Sequence, residues 1–592
     1  MAKRNTFNVD EELDAPFDWK HLKRAMRYIL RYRGSLIAAF SISVAAVLLG
    51  LVVPKLTVYV IDTLIPAEDI RGMLLVGVAL VAISIVIVLC KRTRSRLSAK
   101  IGQGVITRIR SDLFEHLQRL PFDYYDSRPA GKILVRVVNY VNAVADFLSS
   151  GLVTIVLELV SLVFIVAFAF TTSPKLTWVM LASLPPFAVY IFIIRPRQRK
   201  AWQRFSNKQS NMTAYLAENV GGVRVTQTFT RETDNEEIMD GLLKENRRYW
   251  MVAVRYVHSM FPTTVLLSKI VVAAIYIAGV AMLGDGLELG VVIGMAAYTG
   301  LFWGPIQSLG AIYNNLLTTV AYLERIFQVL DEPVTVTDRE GAVDLPPVRG
   351  NITFMETRFS YEPGVPVLDG VTFEALEGES IALVGPTGAG KSTIINLLAR
   401  FYELPEGTIY IDGHDISAVS LASLRRQMGI MLQDTFIFSG SIIENIRYGR
   451  LDATDEECMA AARAVHADEF IERLPDGCYT RVDERGEGLS AGQRQLLSFA
   501  RTMLSDPRVL ILDEATSSID THTERLVQDG IARLLVGRTS FIVAHRLSTI
   551  KNCTKILYIE SGRIAEMGTH DELMEARGLY WKLYTSQAGE GD

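Results

Sequence analysis

Cysteine is scarce in this chain, which has four in 592 residues: Cys90, Cys458, Cys478 and Cys553. No two of them form a CxxC pair, and the eight histidines are scattered. A metal centre or a disulfide framework is therefore not expected. The net charge of −4 is small for this length, and nothing in the sequence points to a nucleic-acid partner. No small-residue cleavage site closes the first apolar run, so no cleavable signal peptide is predicted.

Apolar residues are abundant, at 49% of the chain. Long apolar stretches follow one another in the first half, whereas residues 340–592 have the mixed composition of a globular protein. A chain of this length also exceeds one compact domain. The pattern predicts a membrane-embedded half followed by a soluble half, after a polar tail at residues 1–16.

Six apolar segments are long enough to cross a bilayer as helices, which takes about 20 residues each. We predict spans at residues 36–61, 73–89, 152–170, 176–194, 264–283 and 291–317. The third and fourth are separated by Thr-Thr-Ser-Pro at 171–174, which predicts a tight hairpin. Lysine and arginine follow the second and fourth spans, and acidic residues follow the first and fifth. This asymmetry places both termini in the cytoplasm.

Two further features of the first half concern its cytoplasmic parts. In residues 17–33 apolar residues recur at helical spacing, and basic residues, among them Arg24, occupy the other face. This pattern favours an amphipathic helix on the cytoplasmic membrane surface over an ordinary soluble helix. No proline occurs in 67–120 or in 197–261, and an unbroken helix of about 50 residues would be roughly 75 Å long. We expect the second to fifth spans to project far into the cytoplasm as paired helices. Helical pieces broken near Gly102, Gly104, Gly221 and Gly222 are the alternative.

A phosphate-binding motif opens the soluble half. The residues Gly385, Pro386, Thr387, Gly388, Ala389, Gly390, Lys391, Ser392 and Thr393 match GxxxxGK[ST]. An apolar strand precedes the motif and a helical segment follows it, which is the context it requires. The glycines let backbone N–H groups surround phosphates, Lys391 reaches the β- and γ-phosphates, and Ser392 ligates Mg²⁺. The motif predicts ATP as ligand.

A second apolar strand, residues 509–512, ends in two carboxylates. Asp513 is predicted to hold the Mg²⁺ shell and Glu514 to polarise an attacking water. An acidic pair after a strand is by itself often a solvated turn, but in the same domain as the phosphate loop it becomes informative.

Further motifs in the soluble half resemble those of the ABC transporter superfamily, in the family's order. The segment Leu489, Ser490, Ala491, Gly492 and Gln493 resembles the LSGGQ signature. The resemblance implies a Q-loop at Gln433, which also reaches Mg²⁺, a D-loop at Asp520, a switch histidine at His545 and an adenine-stacking ring at Tyr361. Taken alone, Tyr361 could equally be a core residue and His545 a structural one. On this resemblance, the catalytic set is Glu514, His545, Lys391 and Gln433.

The membrane half also resembles this family, specifically its bacterial six-span exporters of multidrug or lipid type. Residues 120–132 resemble the first intracellular loop of that class and residues 218–232 the second. In that class these loops end in short coupling helices. The resemblance implies an all-α six-helix transmembrane domain with long cytoplasmic helical extensions, fused to an α/β P-loop ATPase domain. The domains are then a tail (1–16), a transmembrane domain with an elbow helix (17–330), a linker (331–349) and a nucleotide-binding domain (350–592).

The resemblance further implies a dimer of half-transporters in which the signature of one chain covers the ATP of the other. Ala491 departs from the family's usual glycine, and residues 490–497 resemble the intact-glutamate subunit of heterodimeric multidrug exporters. A heterodimer is slightly favoured over a homodimer. The expected location is the cytoplasmic membrane of a bacterium, with the nucleotide-binding domain inside.

The expected function is ATP-driven export of amphipathic substrates, namely drugs, lipids or peptides. An ATP-gated channel or a regulatory subunit without vectorial transport is the alternative, and the intact Glu514 argues against it. Charged and amide residues in the spans are candidates for a substrate cavity, because buried charge in lipid is costly. They are Glu158, Lys269, Gln307 and Asn314. Packing between helices is the competing explanation for them.

Overall fold

The structure is a computed structural model that describes residues 19–588, apart from 129, 284–285, 363, 432–434, 514–520 and 544–546. The described chain divides into two compact units. The first, the membrane unit, takes the residues up to Gln118 and Ala130–Glu332. The second, the nucleotide unit, takes Arg119–Pro129 and the residues from Pro333 onward.

The membrane unit is helical throughout its described residues. Its helices are α1 Trp19–Leu30, α2 Arg33–Tyr59, α3 Ile70–Leu117, α5 Ala130–Val135, α6 Val141–Asp146, α7 Leu152–Thr172, α8 Pro174–Leu181, α9 Leu184–Gly221, α10 Val223–Thr228, α11 Glu232–His258, α12 Met260–Leu283 and α13 Leu289–Leu330, and α4, Phe122–Asp126, lies in the nucleotide unit. Short π-helical turns at Val60–Leu64, Arg136–Tyr140 and Phe147–Gly151 continue the neighbouring helices.

Six helical stretches of the described residues are long and apolar enough to cross a bilayer. They are Arg33–Leu64, Ile70–Leu117, Ile133–Thr172, Pro174–Gly221, Glu232–Leu283 and Leu289–Gly310. The prediction of six spans is therefore confirmed. The hairpin between the third and fourth spans also forms as expected, because Ser173 is the N-cap of α8 and Pro174 is its first residue, where a missing N–H costs nothing.

The cytoplasmic extension of the second span is one unbroken helix, as predicted. Helix α3 has 48 residues, which corresponds to about 70 Å. Gly102 and Gly104 do not break the helix; instead, the absence of a side chain at each allows another residue to pack closely against it. A Cβ on Gly102 would lie 3.0 Å from the Ser149 hydroxyl, and one on Gly104 would lie 2.1 Å from the Tyr32 hydroxyl.

The second proline-free region is divided into helical pieces, as the alternative near Gly221 and Gly222 allowed. Helix α9 ends at Gly221, the short helix α10 follows, and α11 begins at Glu232. Thr230 between them has a left-handed backbone, with φ of 51°, which an uninterrupted α-helix excludes. Helices α9 and α11 pack against each other as a pair, and α10 lies in the segment that resembles the second intracellular loop.

Helix α1 is amphipathic as predicted, and it ends at Leu30, three residues before the predicted end at residue 33. Arg24, expected on a polar face, instead forms an ion pair with Asp331 at 2.6 Å, and its guanidinium lies 4.3 Å from the Phe327 ring centroid. His21 stacks on the same ring at 5.8 Å. The amphipathic helix is thus attached to the end of α13, where the membrane unit finishes.

The nucleotide unit is an α/β domain. Its strands are β1 Ile352–Phe359, β2 Leu368–Ala375, β3 Ser380–Val384, β4 Glu406–Ile411, β5 His414–Asp415, β6 Met428–Met431, β7 Gly440–Ser441, β8 Arg481–Val482, β9 Val509–Asp513, β10 Thr539–Val543, β11 Lys555–Glu560 and β12 Arg563–Gly568. Its helices, besides α4, are α14 Lys391–Leu398, α15 Leu421–Arg426, α16 Ile442–Arg447, α17 Asp455–Ala464, α18 Asp468–Ile471, α19 Ala491–Ser505, α20 Thr521–Leu535, α21 Leu547–Lys551, α22 His570–Ala576 and α23 Leu579–Ala588.

Two sheets organise this unit. The larger one has the order β12-β11-β3-β10-β9-β6, and the five strands from β11 to β6 run parallel. Strands β3, β9 and β10 are almost wholly buried, which matches their continuous apolar sequences. The smaller, antiparallel sheet has the order β2-β1-β4-β5. Parallel order brings the carboxyl ends of β3, β6, β9 and β10 to one edge, where sites form in such sheets.

Candidate nucleotide site

The loop between β3 and α14 is shaped by three glycines. Gly385, Gly388 and Gly390 have φ of 139°, 83° and 106°, values that a side chain disfavours. A Cβ on Gly385 would lie 2.1 Å from the Ile559 carbonyl oxygen, and one on Gly390 would lie 2.7 Å from the Leu368 side chain. The loop is therefore held by β11 and by the start of β2 in a form only glycine permits, with its N–H groups at the N-terminus of α14.

Lys391 lies at the first position of α14 and folds back over this loop. Its ammonium donates to the Gly385 carbonyl at 2.8 Å and to the Pro386 carbonyl at 2.9 Å. The residue is 8% exposed. Burial lowers the pKa of the Lys391 ammonium, and the charge of Asp513 acts in the opposite direction. The cation is thus held within the loop that would surround the phosphates.

Four parallel strands end at the edge of the sheet where this loop lies. In the register of the sheet, Val543 of β10 pairs with Leu383 of β3 on one side and with Asp513 of β9 on the other. Met431 of β6 pairs with Leu512 of β9. Asp513 is the last residue of β9 and is half-buried. The predicted residues Gln433, Glu514, Asp520 and His545 lie outside the described residues, and each follows one of these strands along the chain.

The chemistry of the described donors suits Mg²⁺. Ser392 is exposed at the start of α14, and Asp513 supplies a carboxylate at the same sheet edge. Magnesium takes oxygen ligands and is usually held by one or two protein groups together with phosphate oxygens and water. The described residues contain no cluster of three metal-ligating side chains.

Tyr361 is placed beside the phosphate-loop helix. Its hydroxyl lies 3.2 Å from the Thr393 hydroxyl, and its ring packs edge-on against Phe359 at 4.9 Å and against Tyr402 at 5.1 Å. The side chain is 41% exposed, so it is not a core residue. One part of the ring remains open to a ligand while the rest is fixed.

The signature segment forms the N-terminus of a long helix. Ser490 is the N-cap of α19: its hydroxyl accepts from the Gln493 N–H at 3.2 Å, and its own N–H donates to the Gln493 side chain at 2.8 Å. This reciprocal arrangement is a capping box. Leu489 and Gly492 are buried and Ala491 is exposed at the first helical position. The alanine methyl therefore fits the helix without displacing a neighbour.

The candidate cavity residues lie in different environments. Glu158 in α7 and Gln307 in α13 are half-buried, whereas Lys269 in α12 is exposed. The side chain of Asn314 lies outside the described part of the chain. Sequence reasoning missed Lys55 in the first span, which is exposed with its ammonium 5.3 Å from the Phe168 ring centroid. A single lysine inside a strongly apolar run was its only signal.

Sequence reasoning also missed Tyr402, which donates from its hydroxyl to the Asp126 carboxylate at 2.5 Å. The two residues are 276 positions apart. Nothing in the local sequence of either one indicates this pairing.

These features define a membrane-spanning ATPase: a phosphate loop in a parallel-stranded domain, joined in one chain to six spans. Comparison with known protein families supports this class. A family model described as ABC transporter transmembrane region matches residues 36–306, and one described as ABC transporter matches residues 368–517.

Relatives match along nearly the whole chain. The ABC transporter ATP-binding protein YknV of Bacillus subtilis is 41% identical over 99% of this chain and 98% of its own length. A fatty acid ABC transporter ATP-binding/permease protein of Mycobacterium tuberculosis is 37% identical over 83% of this chain and 78% of its own. The structure of a bacterial Atm1-family ABC exporter with ATP bound covers 97% of this chain and 99% of its own, with a TM-score of 0.76 and 27% identity.

The chain belongs to the ABC transporter family and is a bacterial half-transporter of the exporter type. It is a multi-pass membrane protein that binds nucleotide and couples ATP hydrolysis to export. Half-transporters of this family generally act as dimers.

Proposed function

We propose that this chain is one half of a dimeric exporter in the cytoplasmic membrane of a bacterium, with its nucleotide unit inside the cell. The observation that carries the proposal is the phosphate loop, with Lys391 buried in it, at the edge where parallel strands end. The N–H groups of residues 387–390 and the Lys391 ammonium would hold the β- and γ-phosphates of ATP.

The chemical step is assigned to residues that follow the parallel strands. Glu514, directly after β9, polarises the attacking water, and His545, two residues after β10, contacts the γ-phosphate. Mg²⁺ is assigned to Ser392, Gln433 and Asp513, and when bound it neutralises charge on the phosphate oxygens. Because Lys391 is already positioned and desolvated, its charge acts on the phosphates with little reorganisation.

A second half-transporter is required to complete each site. The N-terminus of α19 presents backbone N–H groups and the Ser490 hydroxyl, which favour an anion, and we assign this end to the ATP of the partner chain. Ala491 and the residues after it favour a heterodimer slightly over a homodimer. Native mass spectrometry of the complex purified from its own cells distinguishes these, since a heterodimer contains a second, different chain.

The assignment of the catalytic base is tested with Glu514→Gln. We expect this variant to bind ATP as the unchanged protein does and to lose hydrolysis, because the amide cannot accept a proton from water. Hydrolysis at the unchanged rate would contradict the assignment. Inverted membrane vesicles test vectorial transport: an exporter accumulates substrate inside them only with ATP and an intact Glu514, whereas an ATP-gated channel equilibrates it without accumulation.

The substrate class is proposed from the open face of α12. Lys269 and Tyr276, seven residues apart, share one side of this face, whereas Leu266, Ile270 and Ile277 form its other side. Lys269 lies 14 residues before the end of α12 at Leu283, or about 21 Å, and five residues, or about 8 Å, after the start of the predicted span at residue 264. An ammonium at this depth is costly in hydrocarbon, so the side with Lys269 faces the transport path and the apolar side faces lipid.

Positive charge predominates in this path. Lys269 and Lys55 are both exposed, whereas the one acidic candidate, Glu158, is half-buried. We propose amphipathic molecules with an acidic head group as substrates. The relative named as a fatty acid transporter is consistent with this class.

This substrate class is tested by stimulation of ATP hydrolysis in lipid nanodiscs. Oleate is compared with oleylamine, which has the same chain and the opposite charge. We expect oleate to stimulate hydrolysis and Lys269→Gln to raise the oleate concentration needed by roughly tenfold, the effect of one charge-assisted hydrogen bond. Lys175→Gln, at the external end of the fourth span, is the matched control. Equal stimulation by oleylamine, or no effect of Lys269→Gln, would refute the proposal.

A further inference from the structure

The segment Arg119–Pro129 belongs to a different unit from the residues on either side of it. It is connected to α3 on one side and to α5 on the other, both in the membrane unit, yet it is itself part of the nucleotide unit. Its one helix, α4, begins after Pro121 and buries Tyr124, which is 1% exposed. Arg128 lies over the Tyr124 ring at 4.3 Å and so holds the end of the segment against α4. The segment follows directly in the chain from α3, which spans the membrane.

Two consecutive aromatic residues after α14 hold the segment in place. The Phe401 ring lies 4.3 Å from the Phe122 ring, and the Tyr402 hydroxyl donates to the Asp126 carboxylate at 2.5 Å. Burial, and then the hydrogen bond to Asp126, raise the pKa of Tyr402. The phenol therefore keeps its proton and remains a donor at all physiological pH values. The ring contact is non-directional, but a short hydrogen bond to a carboxylate depends strongly on geometry.

The opposite side of Tyr402 contacts the nucleotide site. Its ring is edge-on to Tyr361 with the centroids 5.1 Å apart and the planes at 84°. Tyr361 in turn reaches the Thr393 hydroxyl at 3.2 Å, two residues after Lys391. A continuous series of described contacts thus runs from the phosphate-loop helix through Tyr361 and Tyr402 to Asp126.

We propose that Tyr402 is a positioning residue that transmits occupancy of the nucleotide site to α4 through its hydrogen bond with Asp126. This rests on the proposed function, in which Tyr361 stacks on the base of ATP. Tyr361 is partly exposed and gains order when a base covers it. The edge-on packing then restricts the Tyr402 ring, which keeps its hydroxyl aligned with Asp126. The segment is held more firmly when nucleotide is bound than when it is absent.

The test is hydrogen–deuterium exchange on the complete transporter in nanodiscs, with and without magnesium AMP-PNP. Peptides covering residues 385–393 report occupancy, and peptides covering 119–128 report the segment. In the unchanged protein we expect nucleotide to slow exchange in both. In Tyr402→Phe and in Asp126→Ala we expect slowing at 385–393 to remain and slowing at 119–128 to shrink several-fold. The double variant should equal the single ones, because each substitution removes one partner of the same hydrogen bond.

A matched control exists in the same unit. The Tyr479 hydroxyl donates to the Asp455 carboxylate at 2.5 Å, so Tyr479→Phe removes an equivalent bond elsewhere and should leave both responses unchanged. The proposal is overturned if both Tyr402→Phe and Asp126→Ala keep the full response at 119–128, if their effects add, or if Tyr479→Phe loses it equally. If nucleotide fails to protect 385–393 in the unchanged protein, the proposed nucleotide site is wrong, which is a separate result. Purified yield and thermal midpoint of Tyr402→Phe, compared with those of Tyr479→Phe, show whether the variant is folded.

Discussion

Replacing Gly385 with alanine is expected to weaken nucleotide binding strongly, because the added side chain would collide with the backbone of a neighbouring strand. The added Cβ would lie 2.1 Å from the Ile559 carbonyl oxygen, whereas uncharged atoms are in contact at about 3.5 Å. The oxygen belongs to a strand paired with β3 and cannot move freely, so the loop must shift by more than about 1 Å. The left-handed φ of 139° adds strain, of order 1–3 kcal/mol.

A displacement of this size removes the loop N–H groups from their positions around the phosphates. Misplacement by about 1 Å typically costs a hundredfold in function, so we expect affinity for a fluorescent magnesium–ATP analogue to fall by at least about that factor. The measurement is equilibrium binding to the purified transporter in nanodiscs.

Two control variants distinguish the effect of the steric collision at Gly385 from the effect of backbone strain. Gly388 has φ of 83° and no atom within 4 Å of an added Cβ, and Gly378, in a turn before β3, has φ of 78° and equally open space. Gly388→Ala should weaken binding far less than Gly385→Ala, and Gly378→Ala should leave it unchanged. If Gly385→Ala binds nucleotide normally, the loop is not fixed by its packing on Ile559.

Three other predictions follow from particular contacts. Ala491→Gly should change the rate of ATP hydrolysis by no more than about twofold, since the methyl is exposed in the first helical turn; a large gain in rate would show that the methyl obstructs the partner's nucleotide. Tyr361→Leu should weaken ATP binding roughly tenfold, the value of one stacked base, while Tyr361→Phe should not; equal binding by the leucine variant would remove Tyr361 from the site. Arg24→Gln should lower the free energy of unfolding by less than about 1 kcal/mol, as for exposed ion pairs, and a double-mutant cycle with Asp331→Asn should show coupling; independent effects would show that the 2.6 Å ion pair contributes nothing.

The spans and the phosphate loop could be predicted because their physical causes are local. A span is specified by its own run of apolar residues, and the loop 385–390 by glycines within one turn of chain. The hairpin at Ser173 is equally local, since the cap and the proline are adjacent. These features needed no knowledge of what packs around them.

Contacts between distant parts of the chain could not be predicted in this way. The bond between Tyr402 and Asp126 joins residues 276 positions apart, and that between Arg24 and Asp331 joins residues 307 apart. Arg24 was expected on a polar face because periodicity shows which residues share a face but not what covers it. The break after Gly221 was left as an alternative for a related reason, because the absence of proline permits a continuous helix without requiring one.

The central claim is that ATP held by the loop around Lys391 provides the energy for export. The most direct measurement is ATP hydrolysis by the complete transporter, purified from its own cells with any partner chain and reconstituted in lipid, compared with Lys391→Met. The methionine keeps the length of the side chain but cannot neutralise phosphate charge, so nucleotide affinity and hydrolysis at this site should both be lost. Hydrolysis and nucleotide binding equal to those of the unchanged protein would contradict the account.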